Sequence, residues 1–239
     1  MGAISLLLAI GFTLIHLSSK YMKFLHFIPR SRLLSIAGGI SVAYVFIHLL
    51  PELNRHQQNV RDTEQQAGGF LENHVYLFAM AGLTIFYGLE RMVKVSKGRN
   101  PDEQGEAGVF WIHIMSFAVY NALIGYLLLR GESKDLTDML LYFFALSVHF
   151  ISNDHGLRQM HKETYDRYGR WLLSLSILMG WAIGWTTEIN EKTIAMLFAV
   201  LSGGVILNVL KEELPEERES NFLAFLFGLI LYTCILLYI

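Results

Sequence analysis

The chain has 239 residues, 53% of them hydrophobic and 17% charged, with a mean hydropathy of +0.39 and a net charge of −2. Its apolar stretches recur at the length that crosses a bilayer, so lipid is the solvent for most of it and no soluble domain is left over. A charge this low without a basic block excludes a nucleic-acid footprint, and the sole cysteine, Cys234, excludes a disulfide or a Cys-based zinc site within one chain.

A hydrocarbon core of about 30 Å takes roughly 20 helical residues. Eight stretches meet that length approximately: Gly2–His16, Leu33–Leu50, His74–Met92, Val109–Leu129, Met139–Met160, Trp171–Glu188, Thr193–Leu210 and Phe222–Ile239. The first lacks a basic flank and a clear small-residue cleavage site, so it reads as a retained span and not a signal peptide. Connections read as short and polar, the longest being Pro51–Asn73 with Gly68-Gly69 inside it. The expected fold is an all-α membrane protein with one transmembrane domain over residues 1–239.

The second stretch runs from Gly38-Gly39 to Pro51-Glu52, and the seventh from Gly203-Gly204 to Pro215-Glu216. A recurring pattern inside two hydrophobic spans near opposite ends of the chain marks a transporter built from duplicated halves. Orientation follows from the 19 Lys and Arg residues: all but Arg55, Arg61, Arg130, Lys134 and Lys192 fall in loops after odd-numbered stretches. By the positive-inside rule those loops are cytoplasmic and both termini are not. The second span then runs outward and the seventh inward, which makes the two copies an inverted repeat.

That 3+2+3 plan resembles the ZIP family of divalent-metal transporters, with Phe46-Ile47-His48-Leu49-Leu50-Pro51-Glu52 similar to the family's second span and Ser202-Gly203-Gly204 through Pro215-Glu216 to its seventh. The resemblance implies a first three-helix repeat with its cytoplasmic loop over 1–108, two central helices over 109–162 and an inverted three-helix repeat over 163–239. In the family a zinc or iron ion is held by His-Asn-x-x-(Asp or Glu)-Gly on the fourth span and by His-Glu-x-Pro-His-Glu or its variants on the fifth. Here Asn121 and Gly125 match on the fourth, but Tyr120 and Ile124 replace the His and the carboxylate. On the fifth, His149 matches, Asp154 stands at the last Glu, Asn153 replaces a His, and Phe150 and Ser152 replace the acid and the proline.

Exchanging carboxylates for Ile124 and Phe150 removes most of the charge that would compensate a buried divalent cation. A two-metal centre is therefore not expected. His149, Asn153, Asp154 and Asn121 remain as the ligands of a single, weakly held ion, and weak holding suits an ion that must leave again. His48 and Glu52, an i, i+4 pair, form the expected mouth of the path, and Glu212, Glu213, Glu216 and Glu217 an acidic vestibule at the other end. His113 and the tryptophans Trp111, Trp171, Trp181 and Trp185 read as interfacial, and His155, Arg158 and His161 as a solvated helix end.

The expected function is transport of a divalent cation of the zinc, iron or manganese class, with the ion as cargo and no permanent cofactor or enzymatic activity. The expected setting is a plasma or inner membrane, with lipid and the cation as partners and a homodimer as the family expectation. Two alternatives stand beside it: a ZIP-like fold that carries no ion and acts through partners, and an intramembrane metallohydrolase built from His149, Ser152, Asp154 and His155.

Overall fold

The computed structural model describes residues 2–21, 31–63, 74–97, 103–131, 136–213 and 221–238. Regular structure among them is helical throughout: α1 (Gly2–Ser18), α2 (Ser31–Tyr44), α3 (Leu50–Thr63), α4 (Val75–Lys97), α5 (Glu103–Arg130), α6 (Leu136–Thr164), α7 (Arg170–Thr186), α8 (Glu191–Glu213) and α9 (Phe222–Tyr238). Each of the eight apolar stretches lies on a helix. Of the expected features, Gly68-Gly69, Pro215, Glu216 and Glu217 fall outside the described residues.

The residues after Pro51 differ from the expected loop. The chain passes from α2 through a π-helical turn, Val45–Leu49, straight into α3 and on to Thr63. Proline has no amide hydrogen, and its ring collides with the carbonyl four residues back. A π turn spreads the backbone there, Leu50 N–H reaching back five residues to the carbonyl of Val45, so the helix survives its proline. A second π turn, Tyr165–Gly169, joins α6 to α7. The chain reverses there, because α1 lies alongside both flanking helices: His16 meets Asp154 on α6, while Leu17, Thr13 and Ser5 meet Arg170, Ser174 and Trp181 in turn along α7.

Three helix pairs run parallel and very close: α2 with α9, α4 with α8, and α5 with α7. Each approach rests on glycine from both partners. A Cβ on Gly39 would strike the backbone of Phe225 and one on Gly228 that of Ile36; Gly82 and Gly203 stand likewise against Val200 and Ala79, and Gly125 and Gly180 against Ile177 and Ala122. Between spans in lipid the hydrophobic effect contributes little, so backbone proximity of this kind carries the packing. Polar contacts fix the registers: Asn221 N–H donates to Ser35 Oγ at 3.0 Å, Lys211 Nζ to Glu90 Oε1 at 2.7 Å, and Arg130 Nε to the carbonyl of Gly184 at 2.6 Å.

Side chains are sorted in reverse of a water-soluble protein. Leu7, Phe46, Ile85, Val119, Leu175 and Leu223 are exposed, while His16, His113, Asn121, His149, Asn153 and Asp154 are buried. Such sorting suits lipid outside and polar groups that satisfy one another within. Among the described residues, five helices are long and apolar enough to cross a membrane, Gly2–Tyr21, Arg32–Val60, Gly108–Arg130, Leu136–His161 and Glu191–Lys211, and the shorter Phe222–Tyr238 is apolar too. The chain is an all-α integral membrane protein. Trp181 also donates through Nε1 to Ser5 Oγ at 2.9 Å, a bond between helices worth about 0.6 kcal/mol in lipid.

Candidate functional site

At the centre of the bundle one imidazole from α1 draws together α5 and α6. His16 Nδ1 lies 2.8 and 3.0 Å from the two carboxylate oxygens of Asp154, and its Nε2 lies 3.0 Å from Asn121 Oδ1. Asn121 Nδ2 donates to the carbonyl of Phe117 at 2.8 Å, which turns its oxygen toward the histidine. Both ring nitrogens thus face acceptors. All three side chains are buried.

Local sequence positions His16 for this contact. It sits near the end of α1, where terminal carbonyls lack helical partners; Ser18 and Ser19 donate back to the carbonyls of Ile15 and His16, and Arg170 Nη1 donates to that of Leu17 at 3.0 Å. The end of α1 is thereby tied to α7. Phe150 packs on the imidazole with ring centroids 4.6 Å apart and on Phe12 at 5.0 Å, so one side of the trio is apolar.

The expected ligands divide between two contacts. Asp154 and Asn121 share His16, whereas His149 Nε2 lies 3.2 Å from Tyr120 Oη, the tyrosine that stands at the family's histidine position. Ile124 is buried. Asn153 is buried beside Asp154 in the chain and is not a partner of His16. Sequence reasoning missed His16, because an isolated histidine at the end of an apolar stretch carries no local signal; its partners lie 138 and 105 residues away.

His48 and Glu52 open on a pocket of about 130 Å³ at the end of the bundle where α6 and α8 begin. The π turn presents His48, which stacks on Tyr44 with centroids 5.3 Å apart. His56, Arg55, Asp138 and Tyr142 also line the pocket. Glu52 is engaged by Arg55 and lies 3.9 Å from His56 Nε2. The expected pair is therefore part of a larger ring of two imidazoles, two carboxylates and an arginine.

The opposite end holds a third polar group. Glu90 on α4 lies 3.3 Å from His113 Nε2 on α5 and accepts from Lys211 on α8, while His113 Nδ1 lies 3.1 Å from His161 Nε2 on α6. His113 is buried within the bundle. Neither Arg158 nor His155 forms a merely solvated terminus: Arg158 grips Asp166 with two bonds of 2.8 and 3.0 Å, and His155 Nε2 lies 2.8 Å from Gln159 Nε2. Along α6, Asp138, Tyr142, His149, Asp154 and His161 thus descend through the bundle over about 35 Å. Among the described residues, no group of three or more His, Cys, Asp or Glu side chains is arranged to hold a metal ion.

Comparison with known proteins gives one relative to set against this geometry. The chain is 25% identical over 199 residues to Zinc transporter ZIP13 of Pongo abelii, an alignment covering 80% of this chain and 59% of the relative. The chain thus spans well under two thirds of that protein's length. No protein-family profile matches it, and no solved structure does. The similarity is weak and partial and points to a distant relation with ZIP transporters.

Proposed function

We propose that this protein is a transporter of a divalent metal cation of the zinc, iron or manganese class, with eight spans in a ZIP-like 3+2+3 inverted repeat and both termini outside the cytoplasm. The observation that carries the reading is the trio His16, Asp154 and Asn121, a buried carboxylate with an imidazole and an amide inside a chain similar to a zinc transporter. A carboxylate within a membrane is expensive to keep and marks an ion path. On this reading Asp154 and Asn121 hold the ion, with His149 and Asn153 on the same helix as Asp154, and His16 yields its bonds as the ion arrives. His48 and Glu52 line the mouth.

The packing supports the repeat. Exchanging the first three spans with the last three turns the α2–α9 pair into the α8–α4 pair, and it carries Gly39 on α2 onto the region of Gly203 on α8, each pressed against its neighbour's backbone. Alternating access follows from one bundle rocking against the other.

Uptake of Zn²⁺, Mn²⁺ and Fe²⁺ into proteoliposomes is the test, with Asp154→Asn as control. Saturable uptake that the substitution abolishes is expected, and absence of uptake for all three ions would sink the reading. Reporters fused at Asn54 and Ile239 should lie outside and one at Gly98 in the cytoplasm.

A second reading has its own observation. The central polar groups already satisfy one another, His16 with Asp154 and Tyr120 with His149, as they would in a ZIP-like fold that carries no ion and acts through partners. Failure of uptake together with retained stability and co-purified proteins would favour it.

A further inference from the structure

We propose that His113 and His161 form a second metal site at the Lys211 end of the bundle, a two-imidazole site for a borderline transition-metal cation such as Zn²⁺ or Cu²⁺. It is distinct from the central trio, and it does not depend on the transport reading.

The argument starts from Glu90. Its Oε1 accepts from Lys211 Nζ at 2.7 Å and lies 3.3 Å from His113 Nε2. A carboxylate paired with an ammonium group only accepts, so His113 carries a proton on Nε2, and the neutral ring has its lone pair on Nδ1. That lone pair faces His161 Nε2 at 3.1 Å. Two nitrogens bound to one tetrahedral metal at 2.0–2.1 Å stand about 3.3 Å apart, so the observed separation already matches a chelating pair, and a turn of the rings brings both lone pairs onto one ion. Without metal, a proton on His161 Nε2 joins the two rings. A metal ion takes that proton's place, and His161 carries a proton on Nδ1 instead.

The surroundings suit such a site. A carboxylate on the far nitrogen of a liganding imidazole fixes the ring and raises its basicity, and Glu90 stands in that relation to His113. Lys211 balances the carboxylate. Phe110 packs against His161 at 5.1 Å and Phe117 against His113 at 5.2 Å, which limits the ways the rings can turn. His161 is half-buried, so water completes the coordination shell. Imidazole pairs favour zinc and copper over magnesium or calcium.

Zn²⁺ is titrated calorimetrically into the Asp154→Asn protein in lipid nanodiscs, so that the central trio is already weakened. A saturable site is expected to remain, to vanish when His161→Gln is added, and to weaken about 10–100-fold with Glu90→Gln. Cu²⁺ added to the same protein should show two imidazole nitrogens in its electron paramagnetic resonance spectrum. Thermal unfolding of each variant distinguishes loss of the site from loss of the fold. The proposal is overturned if Asp154→Asn protein binds no Zn²⁺ saturably, or if His161→Gln leaves the site and the two-nitrogen spectrum unchanged in a folded protein. Mg²⁺ binding equal to Zn²⁺ would overturn it as well.

Discussion

His16 on the first helix addresses both carboxylate oxygens of Asp154 on the sixth, at 2.8 and 3.0 Å, with neither residue reached by solvent. A pair so enclosed is costly to break from one side, because the group left behind keeps its desolvation without its partner. Removing either member of a buried pair typically costs about 3–5 kcal/mol. His16→Leu and Asp154→Leu should therefore each lower thermal stability in detergent strongly, while the double variant should recover much of the loss. Additive losses would show that the two residues are not coupled.

Asp154 is the carboxylate of the central trio, so Asp154→Asn should abolish Zn²⁺ uptake, whereas Asn121→Ala, removing an amide, should reduce it by a smaller factor. Restoring family-type ligands through Tyr120→His with Ile124→Glu places an imidazole and a carboxylate beside His149, and should tighten binding while slowing release. Calorimetry and single-turnover uptake read the two effects separately. Weaker binding in the restored variant would count against His149 as a ligand.

The pocket lined by His48, Glu52, His56 and Asp138 also has Leu127, Ile194 and Phe198 in its walls, and on the transport proposal it gathers cations without holding them in the barrier. Replacing His48 and Glu52 by alanine should raise the half-saturating concentration several-fold and leave the maximal rate near its original value. An equal fall in rate at saturating ion would assign the pair a structural role.

Glycine placement yields a test of packing alone. Gly203 lies against the backbone of Ala79, while Gly88 on α4 has open space where a Cβ would go. Gly203→Ala should lower the melting temperature and separate α4 from α8, whereas Gly88→Ala should be neutral or stabilise by up to about 1 kcal/mol through helix propensity. Equal effects of the two substitutions would remove the close-approach argument.

Every helix but α3 was legible because it carries an apolar stretch, and the polar residues within those stretches were legible because lipid makes them conspicuous. Pairings were not. Asp154 and His149 sit on one helix five positions apart, and nothing in their spacing says that one turns to His16 and the other to Tyr120. His113 and His161 are 48 residues apart and meet only because α5 and α6 run past each other in opposite directions, as Tyr120 and His149 also show. Pro51 misleads for a different reason: proline ordinarily ends a helix, and the π turn that rescues this one is a backbone adjustment with no residue signature of its own.

That π turn also bears on the ancestry of the two halves. Pro51 follows Gly38 by 13 residues, whereas Pro215 follows Gly203 by 12. A π turn is what a helix forms when it absorbs one additional residue without rotating the faces on either side, and the turn at Val45–Leu49 lies between Gly38 and Pro51. If the halves descend from one duplicated unit, the copies differ by one residue there, and the helix accommodates the longer spacing as a local bulge. The bulge is also where His48 enters the pocket, so a change in length in one copy alone would have given the two ends of the bundle different chemistry.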